Sequence, residues 1–400
     1  MSSENAQSSH LLSKDSIFYR PHLHLSPIMI LLSYIFPKGG INVKQGTVKR
    51  NAGSIFPYQG WPTVCKGFDG TLYAVCSGHR LEHVCPFGKN LMYRSCDGGE
   101  TWSDPQIIND TYLDDRDAGI TAIDENNLIM SYFNHPLSFY LDFCESDVKN
   151  NADYPGRELA MGMMSYCRTL PAEKFVYGSF IRRSSDKGLS WAPAEKVPVT
   201  APHGPIVLKS GELFYLGKEF HSGTLEKGEI YACKYTDGEW KPVGKVNLPD
   251  NLNPGQVHEP SVLELPDGEL LGALRVHGNT DEDRFTMYLC RSRDGGRTWS
   301  EPSPTGISGS PPHLMLHSSG AVVLSYARRE KPYSERAVIS RDGGKTFGKE
   351  IILRYSKTSD LGYPSTVELD DGSLLTVYYH YEDSDDFASI LYTKWSLDEE

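Results

Sequence analysis

The chain has 400 residues, 39% of them hydrophobic and 11% aromatic, with 37 Gly and 25 Pro, which excludes global disorder and describes a turn-rich soluble chain able to bury a large core. Its formal net charge of -12 excludes a surface built for nucleic acid or an anionic membrane, because phosphate binding needs a concentrated basic field. Eight cysteines without a C-x-x-C pair signal neither a zinc site nor a redox motif, and reduced thiols in a cytoplasmic protein are expected.

From the N-terminus, residues 1–44 have no counterpart elsewhere in the chain and are expected to form a poorly ordered extension, with one repeat domain over 45–400. The apolar run at 27–37, PIMILLSYIFP, is about half of the ~20 residues that a membrane-spanning helix needs. It is also a poor signal peptide, since Pro21, His22 and His24 precede it instead of a basic stretch and Pro-Lys-Gly-Gly follows it.

Beyond it an eight-residue pattern recurs: SCDGGETW at 95–102, SSDKGLSW at 184–191, SRDGGRTW at 292–299 and SRDGGKTF at 340–347, with a degenerate TDGEW at 236–240. Each is expected to be a hairpin turn in which Asp accepts hydrogen bonds from the turn's own backbone, Gly takes positive φ and the aromatic packs between neighbouring sheets. A second repeat alternates with it, an apolar strand, a D-G type turn and another apolar strand, in six copies beginning near Trp61, Asp115, His203, Glu259, His313 and Tyr363. Six copies predict an all-β fold, a six-bladed β-propeller of four-stranded antiparallel blades, in which each sheet buries both faces against its neighbours. The last strand, 389–396, has no turn motif after it and is expected to complete a blade begun elsewhere, with ring closure by the segment near Lys44 to Ile55. An acidic, aromatic insertion at 136–157 interrupts the second blade.

These Asp-boxes on six sheets resemble the sialidase (neuraminidase) superfamily and its BNR-repeat relatives over roughly residues 45–398. Asp-boxes sit at the rim, so function has to be read from the residues that head each innermost strand. His258-Glu259, with Arg275 sixteen residues on across one hairpin, is similar to the glutamate and second arginine of sialidases. Tyr363, at the head of the sixth inner strand, is similar to their nucleophilic tyrosine, which a carboxylate partner can deprotonate and which meets an anionic sugar without charge repulsion. Arg336 is similar in place to the third arginine, and Arg329 competes with it by leaving the inner hairpin as Arg275 does.

Two departures stand beside this resemblance. Gly60-Trp61-Pro62 occupies the place of the first arginine, and the loop 77–88, SGHRLEHVCPFG, offers Arg80 but no acidic Asp. The cluster 113–117, LDDRD, is expected to compensate, with Arg116 as a cationic anchor and Asp117, or else Asp115, as proton donor. His203, His258 and His313, with His83 and His277, fall near the expected funnel and are read as polar lining of a sugar pocket, their spacing being no metal motif. The bland readings are a buried Glu259/Arg275 ion pair, a packed Tyr363 and a solvated 114–117 turn.

What the resemblance implies is an exo-acting, retaining glycoside hydrolase that cleaves a terminal acidic sugar, sialic acid by default, from a small-molecule or glycan substrate without a cofactor. The alternative is a non-catalytic propeller that binds carbohydrate or protein through the same funnel.

Overall fold

The computed structural model describes residues 43–280 and 284–397, so the expectations for the leading extension and its apolar run lie almost wholly outside the described residues. Among the described residues no helix is long and apolar enough to cross a membrane.

Six antiparallel sheets form the predicted propeller blades, five of four strands and the third of five. The innermost strands are Tyr58–Lys66, Arg116–Ala122, Ile206–Val207, Val257–Glu264, His313–Leu316 and Gly362–Glu368. The repeat dictates this arrangement, because alternation within each strand gives both faces of a sheet an apolar set that only a neighbouring sheet on each side can cover. One core cluster accordingly joins Leu375, Val377 and Tyr379 of the sixth blade to Leu72, Ala74 and Cys76 of the first. Comparable clusters seal the other five blade junctions.

The Asp-boxes are the outer staples of these junctions. Asp294 Oδ1 accepts hydrogen bonds from the Ser292 hydroxyl and the Thr298 amide, while Oδ2 accepts from the Thr298 hydroxyl. The second glycine of the box then touches the preceding blade: a Cβ on Gly99, at φ 86°, would lie 2.4 Å from Leu375 Cδ1, and one on Gly296, at φ 90°, 2.6 Å from Phe214. Glycine is required there both for its conformation and for its missing side chain.

The ring closes on the sixth blade. Ala388–Trp395 pairs with Leu374–Tyr381 of its own blade, which corrects the expectation that it completes another, and the N-terminal strand Lys44–Lys49 adds to its outer edge. The strand that travels is thus the N-terminal one, and it covers an edge that would otherwise expose unpaired backbone. The insertion is also longer than the sequence suggests: it fills 136–177 with two helices, α1 at Leu137–Phe143 and α2 at Arg157–Cys167.

One irregularity repeats at the heads of four inner strands. In blades one, two, four and six, four residues of the inner strand stand against three of its neighbour, for example His258 to Ser261 against Arg275 to Ala273. The extra residues of these bulges include Trp61, Asp117, Glu259 and Tyr363, which hold left-handed backbone at φ 54°, 48°, 45° and 52°. Such conformations cost a non-glycine residue about 1–3 kcal/mol and persist only where the surroundings fix them.

Candidate active site

The bulges aim their side chains at one another. Glu259 Oε1 accepts a hydrogen bond of 2.5 Å from the Tyr363 hydroxyl, and its Oε2 accepts one of 2.5 Å from Arg275 Nη1. The same Arg275 Nη1 lies 3.3 Å from the Tyr363 oxygen. Arg275 reaches this point because it stands directly opposite His258 in the strand pair, and its Nε donates to His277 Nε2 at 3.0 Å. His258, next to Glu259, is turned instead towards Lys218 Nζ at 3.2 Å.

Charge in this cluster is divided unevenly. Burial by itself would raise Glu259, but Arg275 and the Tyr363 hydroxyl pull it down to about 2, so it is ionised at neutral pH. Burial, with Glu259 and Asp117 nearby, pushes the Tyr363 phenol well above its ordinary value, against the pull of Arg275 and Arg329. Asp117 is 6% exposed, and burial raises its carboxyl to about 7, with Arg116 opposing and Glu259 adding to the rise. The site therefore holds an ionised carboxylate on a neutral phenol and, within electrostatic reach, a carboxyl poised to hold a proton.

A second hub borders Tyr363. Asp360 accepts hydrogen bonds from the hydroxyls of Tyr58, Tyr379 and Tyr381 at 3.0 Å, and lies 3.0 Å from His83 Nδ1. Burial favours its neutral form, yet His83, Arg329 and the Tyr379 hydroxyl hold it well below the usual carboxylate range. Arg329 donates to the Tyr379 oxygen at 3.3 Å and lies 5.7 Å from the Tyr363 ring centroid. Two arginines, Arg275 and Arg329, thus reach the tyrosine from blades four and five.

The family model described as BNR repeat-like domain matches residues 163–376, more than half of the chain. The chain belongs to the BNR repeat-like family. This BNR propeller is 27% identical over 241 residues to the anhydrosialidase of Macrobdella decora, a match that takes in 50% of this chain and spans only 29% of that protein. Among solved structures it resembles a Dyadobacter fermentans protein of unknown function at a TM-score of 0.68 and 22% identity, covering 89% of this chain and 99% of that one. It resembles the NanB sialidase of Streptococcus pneumoniae at 0.61 and 14%, covering 88% and 70%. A Penicillium chrysogenum α-L-arabinanase follows at 0.56 and 14%, covering 90% and 99%. The expected resemblance to the sialidase superfamily stands at the level of repeat family and fold.

The remaining candidates of the BNR propeller divide sharply. Arg116 stays at the site: its guanidinium lies 4.1 Å from the Trp61 ring centroid and donates to Asp114 Oδ2 at 3.1 Å and to the His83 carbonyl at 3.2 Å. Arg80 does not line the pocket; it is fully buried, paired with both oxygens of Asp114, and stacks 4.6 Å from the Trp61 ring centroid. Asp115 is likewise spent on structure, accepting from the Thr111 amide at 2.9 Å, the Thr111 hydroxyl at 2.8 Å and Asn134 Nδ2 at 3.2 Å. Arg336 is the clearest correction, because it lies on the third strand of blade five, bound to Glu350 and Ser334. Strand order instead brings the competing candidate, Arg329, to the Tyr379 hydroxyl and the Tyr363 ring.

His203 and His313 also miss the tyrosine cluster. Their rings meet at 4.6 Å, His203 Nδ1 lies 3.1 Å from the Thr63 hydroxyl, and both line an axial cavity of about 110 Å³ whose walls include neither Tyr363 nor Glu259. Sequence reasoning missed Asp360 and its tyrosines altogether. The available signal was an acid three residues before Tyr363, in a chain whose next strand reads YYHY at 378–381. Among the described residues, no group of three or more His, Cys, Asp or Glu is arranged to hold a metal.

Proposed function

We propose that this BNR propeller is a retaining exo-glycoside hydrolase acting on a terminal acidic sugar, with sialic acid as the first candidate. The observation that carries the reading is the Glu259 carboxylate held between the Tyr363 hydroxyl and Arg275, each at 2.5 Å. Because the phenol is pushed up and Glu259 pulled down, no standing tyrosinate is expected. The Tyr363 oxygen attacks the anomeric carbon while its proton passes to Glu259 Oε1, and Asp117 gives its proton to the departing glycosidic oxygen. Water then breaks the tyrosyl–sugar bond, with its proton returning to Asp117 and the Glu259 proton to Tyr363. Arg275 and Arg329 pair with the substrate carboxylate, with Arg116 at the margin. A tyrosine nucleophile suits an anionic sugar because a carboxylate nucleophile would repel it.

The NanB sialidase shares the fold, and the Macrobdella decora relative carries the word anhydrosialidase in its name; both support the class. A binding-only propeller is the second reading, and Trp61 favours it by standing where an arginine is expected. The deciding experiment is a screen of aryl glycosides of several acidic sugars, with intact-mass detection of a covalent adduct from an activated fluorinated analogue of the sugar that is cleaved. Turnover with an adduct that disappears in Tyr363→Phe supports the hydrolase. Saturable binding without turnover selects the second reading.

A further inference from the structure

The aromatic residue of each Asp-box packs, partly buried, against the core of the junction with the preceding blade. Trp102, Trp191 and Trp299 do so in blades one, two and four, and Phe347 does so in blade five. A phenyl ring is smaller than an indole, so the joint between blades four and five is filled less completely. The facing strand widens the gap. In the outermost strand of blade four, Ser303–Ser308, the three residues Thr305 to Ile307 stand against Met287 alone, because Thr286 pairs with Ser308 and Tyr288 with Pro304. Thr305 fixes this bulge by donating its hydroxyl to the Met287 carbonyl at 2.9 Å, and Gly306 turns it at φ 73°. The result is a cleft of about 690 Å³ between the two blades, a volume suited to a small-molecule ligand.

Arg328 is the polar centre of this cleft. It continues the side of its strand that carries Val322, Leu324 and Tyr326 into the core shared with blade four, whereas the next residue, Arg329, reaches the Tyr379 hydroxyl. Arg328 Nε is buried and bonded to nothing in the structure. Buried donors of this kind are paired in nearly all proteins, so the group points to an acceptor supplied by a ligand. Other ions at the cleft are spent: Arg291 is bound to Glu269 and the Gly343 carbonyl, and Glu350 to Arg336 and the Tyr326 hydroxyl. Arg328 and Lys345 remain, with Glu330 at the margin accepting from the Ser308 hydroxyl at 3.2 Å. An excess of positive charge in one cleft of a chain with net charge -12 selects for an anion.

We propose that this cleft is a binding site for an anionic saccharide, carboxylated or sulfated. It is independent of the glycosidase reading, since Tyr363, Glu259, Arg275, Asp117 and Arg329 take no part in its walls. Arg328 offers a fork of donors to a carboxylate or sulfate, and Phe347 offers a ring to the C–H face of a pyranose. The hydroxyls of Ser300 and Ser303, on the opposite wall, match those of the sugar.

The test follows the Ile307 δ1-methyl resonance, which reports from the cleft wall, in the full chain labelled at isoleucine methyl groups. The probes are glucuronic acid, galactose 6-sulfate, galactose and sodium sulfate. The expected result is a saturable shift with at least one of the two anionic sugars, with a dissociation constant of about 1 mM or tighter, and binding at least about tenfold weaker for galactose and for sodium sulfate. Which anionic sugar binds tells the carboxylated ligand from the sulfated one. Arg328→Gln is expected to abolish the shift. Phe347→Trp, which restores the indole of the other boxes, is expected to abolish it too without lowering the melting temperature, and either variant decides alone should the other fail to fold. No shift with either anionic sugar, an equal response to galactose, or a shift that survives in a folded variant overturns the site. An equal response to sodium sulfate leaves an adventitious ion only and overturns the saccharide.

Discussion

Tyr363 and Glu259 are each held in left-handed backbone, so the chain accepts local strain to set a phenol against a carboxylate. Removing only the hydroxyl should separate chemistry from folding. Tyr363→Phe is expected to lower kcat at least about a thousandfold with little change in thermal midpoint, because Glu259 keeps its Arg275 partner; steady-state kinetics and a melting curve check both. Asp117 gives a prediction in pH. Its carboxyl is raised from 3.8 to about 7 in the folded protein, so it keeps its proton over that interval and loses it as pH climbs through about 7. Activity towards poor leaving groups should therefore fall above about pH 7, and Asp117→Asn should slow them far more than activated aryl glycosides, which depart without protonation. A uniform loss across leaving groups would mean that Asp117 only positions substrate. The same raised value means that Asp117 favours the folded state least at high pH, since the unfolded chain releases that proton sooner.

At the scale of the element, the Asp-box hairpin works through one aspartate and the glycine two residues after it, and that glycine sets how closely one blade approaches the next. A methyl group on Gly296 would meet the Phe214 ring at 2.6 Å, in backbone at φ 90°. Gly296→Ala should thus cost about 1–3 kcal/mol through overpacking and strain, read as a lower midpoint in denaturant, while kcat of the folded protein is kept because the box lies at the rim. Lost activity at full stability would instead place the box in the site. The bulges at the inner strand heads form the other recurrent element, and they explain why four blades contribute site side chains at equivalent positions.

Across the whole molecule, stability is a property of the closed ring. Among the described residues, Lys44–Lys49 is the strand that pairs with the outer edge of Ala388–Trp395, with Val48 6% exposed in the junction core. A chain started at Asn51 should leave that edge unpaired and associate or unfold at a clearly lower temperature, measured by light scattering alongside melting; an unchanged, monodisperse product would show that closure by this strand is dispensable. The two ends of the described chain therefore act together.

The sequence by itself determined the blade count and the rim staples, because short-period patterns and hairpin spacing are local and survive without tertiary context; the choice of Glu259, Arg275 and Tyr363 came from the resemblance to the sialidase superfamily, and the structure brings the three together. It went astray wherever the choice depended on which face or layer a side chain enters. Arg336 and Arg329 are seven positions apart in the chain, yet strand order sends one to Glu350 and the other to Tyr379. Asp115 and Asp117 are two apart, yet the first is bound to Thr111 ahead of the inner strand while the second stands in the bulge between Arg116 and Gly119, within electrostatic reach of the tyrosine. Only the closed ring brings Asp360 to His83 across 277 residues, and blade packing brings Tyr177 of the insertion to His221 of blade three. Such contacts are set by blade-to-blade packing, whose register no linear spacing encodes.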